Sequence, residues 1–274
     1  MKEETISVFG LGKLGCTMLA CFAHKGWRTI GVDVDPDTVE KVSAGVSPIY
    51  EPGVDQLIKD NMKRITATTD AMQAVIDSEI SFVIVPTPSI RNGSFSRKYV
   101  ETVAAEIGSM LRAKNDYHLV VITSTVLPGD MSDIVEFLER TSGWQCGSDF
   151  GVCYNPDFIA LGSVVHDFLN PDMVLIGESD ERSGAMLAKI HEQLTDNSPT
   201  IHRMNFHNAE LAKIALNSYC TLKITFANQL AEICEHMPGG NVDLVTAAIG
   251  DDSRIGRKYL EGRLELRGPV LSEG

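Results

Sequence analysis

Over the first 200 residues, short apolar runs alternate with longer amphipathic stretches. The runs at 5–10, 28–33, 80–85, 118–123, 151–154 and 173–177 are dominated by aliphatic and aromatic residues and interrupted by turn formers, which predicts strands. Phe82-Val83-Ile84-Val85 and Leu119-Val120-Val121-Ile122 are continuously apolar, the pattern of strands covered on both faces. Strands alternating with helical patterns imply parallel pairing through crossover helices. The expected fold class is therefore α/β, a Rossmann-type doubly wound parallel sheet.

The pattern changes after Ile201-His202-Arg203. One helical repeat runs from about 205 to 236 and stops at Pro238-Gly239-Gly240. Leu211, Ala215, Tyr219, Leu222, Phe226, Leu230 and Ile233 step by four or three along one stripe. Cys220, Ile224, Ala227, Ala231 and Cys234 occupy the other side. About thirty residues at 1.5 Å each make a rod of about 45 Å, suited to linking domains or to forming a dimer spine. A shorter helix is expected at 242–249. These features divide the chain into residues 1–203, a dinucleotide-binding domain, and 204–274, a helical central domain through whose long helix a homodimer is expected.

The chain has 274 residues with 43% hydrophobic and 22% charged content, enough for a full core and more than one unit. Its formal charge of −13 repels phosphates at long range, so nucleic acid and anionic membrane are not expected partners. With no signal-like or membrane-length apolar segment in the sequence, a cytoplasmic location is expected. The six cysteines, Cys16, Cys21, Cys146, Cys153, Cys220 and Cys234, lack CxxC pairing and zinc-ligand spacing. They are expected to be buried, reduced thiols, with no metal site.

Gly10-Leu11-Gly12-Lys13-Leu14-Gly15 lies between the first strand and a helix, and Asp33 follows Gly15 by 18 residues at the end of the second strand. In that context GxGxxG is a dinucleotide fingerprint. Gly10 permits the turn, Gly12 admits the pyrophosphate and Gly15 lets helix and strand close-pack. Asp33 accepts hydrogen bonds from the adenosine ribose and repels a 2′-phosphate, which favours NAD over NADP. Lys13 either assists a phosphate or is a solvated first-turn lysine.

Further segments carry a resemblance. They include Gly45-Val46-Ser47-Pro48-Ile49-Tyr50-Glu51-Pro52-Gly53, Val85-Pro86-Thr87-Pro88, Ser124-Thr125-Val126-Leu127-Pro128-Gly129 and Tyr154-Asn155-Pro156-Asp157-Phe158. Residues 209–217, from Ala209-Glu210 to Asn217, and Asp252-Ser253-Arg254-Ile255-Gly256 continue the series. In this order, from residue 4 to about 264, the chain resembles the UDP-glucose/GDP-mannose dehydrogenase family of nucleotide-sugar dehydrogenases. The resemblance implies oxidation of a nucleotide sugar's C6 alcohol to a carboxylate in two NAD-dependent steps, with a cysteine holding the intermediate aldehyde. It implies that Thr87, Pro88 and Thr125 surround the nicotinamide half, with Thr125 also near a catalytic water. It puts Asp157 where the family usually has Glu, to orient water or carry protons. Lys213 would stabilise oxyanion charge, Asn217 would hold a sugar oxygen, and Arg254 would meet the substrate phosphate or a neighbouring subunit. The blander alternatives are a solvated Glu210–Lys213 pair, a helix-capping Thr125, a merely internal Asn217 and a surface Arg254. Leu161 stands where many relatives have an acid near the cofactor ribose.

By the same resemblance, Val270 falls at the nucleophilic cysteine and Gly274 at its supporting aspartate, and the family's third domain is expected to be absent. Valine cannot form a thiohemiacetal. One codon string that would encode residues 266–274 is CTA CGG GGG CCC GTG CTT TCC GAG GGA, and one base later the same string reads Tyr-Gly-Gly-Pro-Cys-Phe-Pro-Arg. A single-base insertion or deletion near Glu265 is thus the expected origin of this ending, which DNA sequencing decides. Two alternatives to an active dehydrogenase stay open: an NAD-binding, catalytically dead protein or partner subunit, and a one-step oxidoreductase or epimerase that needs no thiol.

Overall fold

The computed structural model describes residues 4–90, 94–114, 116–159 and 162–260, so Leu161, Val270 and Gly274 lie outside the described residues. The chain divides into two compact units between Glu210 and Leu211.

The first unit is built on one eight-stranded sheet of order β3-β2-β1-β4-β5-β6-β7-β8. Its strands are β1 (Thr5–Phe9), β2 (Arg28–Val32), β3 (Ile65–Thr68), β4 (Ile80–Val83), β5 (Leu119–Ile122), β6 (Gly151–Tyr154), β7 (Met173–Glu178) and β8 (Thr200–Met204). The first six strands are parallel in the order 3-2-1-4-5-6, which puts a topological switch point between β1 and β4. Ligands in such sheets bind beyond the carboxyl ends of the strands at that point.

Helix α1 (Lys13–His24) is what fixes the crevice. Nine successive residues, Gly15 to Ala23, are buried. Phe22 packs edge-on against Trp27 and Phe168, with ring centroids 5.7 and 5.9 Å away, and lies tilted on Phe82 at 4.9 Å. Burying one such ring contributes about 2–3 kcal/mol. With little of its length exposed, α1 has one place to lie, and its N-terminus stays at the end of β1. The remaining helices of this unit are α2 (Pro36–Ser43), α3 (Val54–Asp60), α4 (Ala71–Ile76), α5 (Lys98–Lys114), α6 (Asp130–Ser142), α7 (Val164–Leu169) and α8 (Glu181–Leu194).

Three features differ from the sequence reading. Strand β3 was not foreseen: Ile65-Thr66-Ala67-Thr68 is a short edge strand with one buried apolar anchor, Ile65, too little to make an apolar run. Strand β8 covers the stretch read only as a change of character. The pairing of β6 with β7 is antiparallel, through Cys153 with Glu178 and Tyr154 with Gly177, which corrects the all-parallel expectation. Among the described residues, the connection from β6 to β7 holds the six-residue α7, about 9 Å long, instead of a full crossover helix. The chain re-enters the sheet from the edge it left.

Helix α9 (Phe206–Glu235) begins in the first unit, and α10 (Val242–Gly250) follows in the second. Along α9, Ala227 and Cys234 are buried, whereas Leu211, Tyr219, Leu222, Phe226 and Ile233 are about half exposed or more. Cys16, Cys21, Cys153 and Cys234 are buried as expected, but Cys146 and Cys220 are only partly so. Cys146 lies in the connection between α6 and β6, and Cys220 lies mid-helix in α9 on a partly exposed face, so in both cases the local apolar pattern overstates burial.

Candidate cofactor and active site

The turn after β1 needs its glycines for separate reasons. Gly10 has φ of +95°, and a Cβ there would lie 2.3 Å from the Ile84 carbonyl oxygen of β4's extension. At Gly15 a Cβ would stand 1.8 Å from the Gly10 carbonyl oxygen and 2.9 Å from Ile84 Cγ2. At Gly12 it would meet nothing within 4 Å. Two glycines serve the protein's own packing, and the third leaves open space.

Gly12 is also the N-cap of α1, so no side chain caps the helix, and its first turn contains no acid. Among the described residues α1 is alone in this. Helices α2, α4, α8 and α10 are capped by Asp35, Asp70, Asp180 and Asn241, and α3, α5, α6 and α7 carry first-turn acids. Asn205 receives the Asn208 N–H at the start of α9. A helix N-terminus carries about half a positive charge and unpaired N–H groups, which together favour an anion. Lys13, exposed at the first helical position, adds a cation, and Leu14 is half-buried beside it.

Asp33 directly follows β2. Its Oδ2 accepts the Leu11 N–H at 2.7 Å and its Oδ1 the Asp35 N–H at 3.0 Å. The carboxylate is thereby oriented, and each oxygen keeps a lone pair for a ribose hydroxyl. Leu11 is buried against Gly31, where an added Cβ would be 3.0 Å from both its methyls.

The loops after β4 and β5 are joined by Ser124, whose Oγ donates to the Val85 carbonyl and accepts the Val85 N–H, each at 2.8 Å. On the first of these loops Thr87 is buried and its hydroxyl has no hydrogen-bond partner among the described residues. A buried hydroxyl left this way is costly unless a ligand completes it. Pro88 beside it is exposed, and its carbonyl accepts the Ser96 N–H at 2.9 Å. Thr125 is half-buried on the second loop; the N-cap of the following α6 is Gly129, so Thr125 is not a helix cap.

Asp157 stands three residues beyond β6, half-buried. Its loop is held by Asn155, whose Nδ2 donates to the Leu175 carbonyl at 2.9 Å and whose Oδ1 meets His191 Nε2 at 2.9 Å. Burial pushes His191 down to about 4, so its Nε2–H donates from a neutral ring. Farther along, Glu51 Oε1 accepts the Gly162 and Val164 N–H groups at 3.0 and 3.2 Å. The sheet thus gathers Gly10, Leu11, Gly12, Lys13, Leu14, Gly15, Asp33, Thr87, Pro88, Thr125 and Asp157 at the carboxyl edge of its parallel strands.

The remaining expected site residues belong to the second unit. Lys213 and Asn217 are one turn apart on one face of α9; Lys213 is buried and Asn217 half-buried. Glu210 is fully buried, so the alternative of a solvated Glu210–Lys213 pair is overturned. Arg254 is 85% exposed and doubly bonded to Asp252, Nε to Oδ1 at 3.0 Å and Nη2 to Oδ2 at 2.6 Å. Its segment is tied to α9 by Lys223, whose Nζ donates to the Ile255 and Gly256 carbonyls at 3.0 Å. Desolvation raises the thiols of Cys16 and Cys21 to about 12 and also pushes those of Cys146 and Cys153 up, so all four stay protonated near neutrality.

Residues 4–195 match the profile of the NAD binding domain of the UDP-glucose/GDP-mannose dehydrogenase family, and residues 207–273 match its central domain. The chain belongs to that family. A GDP-mannose 6-dehydrogenase from Pseudomonas aeruginosa is 40% identical over 84% of this chain and 53% of its own length. A UDP-glucose 6-dehydrogenase from Haloferax volcanii is 36% identical over 93% of this chain and 60% of its own. The chain therefore spans little more than half the length of these relatives. Among solved structures, a ternary complex of GDP-mannose dehydrogenase from Pseudomonas aeruginosa superposes with a TM-score of 0.88 at 36% identity, covering 93% of this chain and 59% of that one. A UDP-glucose dehydrogenase from Pyrobaculum islandicum gives 0.87 at 35%, covering 94% and 59%. The bare α1 N-terminus, the oriented Asp33 and the unpartnered Thr87 hydroxyl thus all lie within the residues that match the family's NAD binding domain. Sequence reasoning missed Ser124, Glu51, His191 and Lys223, which hold the loops without standing at the expected site positions.

Proposed function

We propose that this chain is the cofactor-binding and central part of a nucleotide-sugar 6-dehydrogenase, acting with NAD on the C6 alcohol of a UDP- or GDP-sugar. The observation that carries the reading is the uncapped, acid-free N-terminus of α1 beside the oriented Asp33 carboxylate at the β1–β4 switch point. NAD, when bound, supplies the oxidant for the alcohol. The α1 N-terminus and Gly12 take its pyrophosphate, Asp33 takes its adenosine ribose hydroxyls, and Thr87, Pro88 and Thr125 bind around its nicotinamide half. The unpartnered Thr87 hydroxyl supports that placement, because a polar group of the cofactor would complete it.

In the substrate half, Lys213 stabilises negative charge growing on the C6 oxygen and Asn217 donates to a sugar oxygen. Asp157 orients water. Arg254 meets the substrate phosphate once it leaves Asp252. Residues 1–203 and 204–274 are the two functional parts. The half-exposed stripe Leu211, Tyr219, Leu222, Phe226 and Ile233 supports pairing of two copies along α9 in a homodimer. The unpaired thiols are compatible with a cytoplasmic location. Among the described residues no helix is long and apolar enough to cross a membrane.

Val270 stands where the resemblance places the nucleophile, and the elevated Cys16, Cys21, Cys146 and Cys153 thiols do not replace it. The 274-residue chain is therefore expected to bind NADH saturably and to form no sustained NADH from NAD with UDP-glucose or GDP-mannose. Absence of NADH binding would overturn the functional reading. Sustained formation of two NADH per sugar would overturn the reading of Val270 alone.

A further inference from the structure

Helix α6 starts at a glycine and so brings no capping side chain of its own. Its first N–H groups are nevertheless paired. Glu210, the last residue of the first unit, inserts a fully buried carboxylate whose Oε2 accepts the Gly129 N–H at 2.8 Å and whose Oε1 accepts the Met131 N–H at 2.7 Å. A buried charge survives only when paired or richly hydrogen-bonded, and two charge-assisted N–H bonds at the positive end of a helix meet that condition.

The same bonds close one end of a short suspended segment. At its other end Ser124 is clamped to Val85 on the neighbouring loop. Between the clamps Val126 is buried, Asp130 Oδ2 takes the Leu127 N–H at 2.7 Å, and Arg97 holds Asp130 Oδ1 at 3.0 Å. Thr125 is the site residue on this segment. We propose that Glu210 is a positioning residue, which fixes the turn from Ser124 to Met131 and through it the placement of Thr125 against the nicotinamide half of NAD. The inference rests on the NAD reading above.

Asp180 provides the comparison. It caps α8 by accepting the Ser183 N–H at 3.0 Å, at the opposite edge of the sheet, where Ser179 N–H meets the Val152 carbonyl at 3.0 Å. In the full chain, Glu210→Ala and Asp180→Ala are both expected to lower the melting temperature. Only Glu210→Ala is expected to speed amide hydrogen exchange over 124–131, by tenfold or more. The same variant weakens NADH about tenfold while ADP-ribose, which lacks the nicotinamide, stays within twofold of wild type. Glu210→Gln keeps one acceptor and gives the same ordering with a smaller effect, which covers the case where the alanine variant fails to fold. Equal weakening of NADH and ADP-ribose, or unchanged exchange over 124–131, overturns the proposal. A wild-type chain that binds neither nucleotide overturns the NAD reading instead, and the exchange comparison then decides the positioning role alone.

Discussion

Gly12 and Gly15 lie three residues apart in one turn, yet alanine at the two positions is expected to fail in different ways. At Gly15 the new Cβ would be 1.8 Å from the Gly10 carbonyl oxygen, where real Cβ atoms come no nearer than 3.0 Å. The α1 start or the Gly10 carbonyl must move by at least about 1.2 Å, because the obstacle is backbone and cannot rotate aside. Alanine gains about 1 kcal/mol of helix propensity, but overpacking costs about 1–3 kcal/mol and more against backbone. A net loss of about 1–2 kcal/mol lowers the melting temperature by about 2–8 °C in a unit of this size. A displacement near 1 Å at the phosphate-binding amides weakens NADH about 100-fold. At Gly12 the Cβ meets nothing and φ is −70°, so the stability cost is only that of alanine replacing glycine at an N-cap, about 1 kcal/mol or less. There the methyl group occupies the pyrophosphate's approach, and NADH weakens by a similar factor with a smaller fall in melting temperature than at Gly15. Thermal melts and NADH fluorescence titrations on both variants check this. A Gly15→Ala protein with wild-type melting and affinity would refute the packing argument, and a Gly12→Ala protein with wild-type affinity would refute the pyrophosphate path.

Asp33→Asn keeps an acceptor for the Leu11 N–H but removes the charge that repels a 2′-phosphate; the ratio of NADP to NAD dissociation constants is expected to fall at least tenfold, about 1.4 kcal/mol. Lys13→Glu adds a first-turn acid to α1, so against Lys13→Gln it is expected to gain about 0.3–1 kcal/mol of stability yet bind NADH less tightly, with the binding difference shrinking in high salt. His191 has its folded value depressed to about 4 from an ordinary 6.5, so its contribution is fully present above pH 6.5 and is lost as pH falls toward 4. That loss is about 3 kcal/mol, and unfolding measured across this window is expected to lose one proton's share of its slope in His191→Gln, with buried His118 still titrating in the same direction. Leu222→Glu combined with Phe226→Glu is expected to convert a dimer to monomer in sedimentation equilibrium; an unchanged mass would remove α9 as the dimer interface.

The parts of the fold that were legible are those whose signal is local. The α1 turn was readable because glycine spacing, a preceding strand and Asp33 all lie within the first 33 residues, and α9 because a single periodicity persists over 30 residues. Strand β3 was not, because an edge strand needs only one apolar anchor, and the reversal of β7 depends on where the chain re-enters the sheet. The residues holding the site loops are harder still. Glu210 reaches back 81 residues to Gly129, Glu51 reaches forward to Gly162 and Val164, and His191 meets Asn155 across 36 residues. Their partners are backbone amides or a lone amide side chain, which leave no complementary pattern in sequence. One partial signal was available: Pro128-Gly129 opens α6 with a residue that cannot cap it, which leaves its first amides open to a distant acceptor.

A chain of net charge −13 that binds a dinucleotide must solve an electrostatic problem that its composition makes worse. Spreading basic residues over the surface is one solution, and this chain does not adopt it. Its other described helices place an acid or a capping side chain at their N-termini, which neutralises the positive end and stabilises each helix. At α1 that stabilisation is forgone, and the helix is held by burial of nine successive residues instead. The bare terminus and the exposed Lys13 then form a positive spot facing the crevice, while Asp33 lies one turn of chain away, its charge directed by the Leu11 and Asp35 amides. On the proposed placement, the phosphate and ribose ends of the cofactor would be sorted by two neighbouring groups of opposite sign, so that a displacement of α1 alone would separate them and weaken both contacts together.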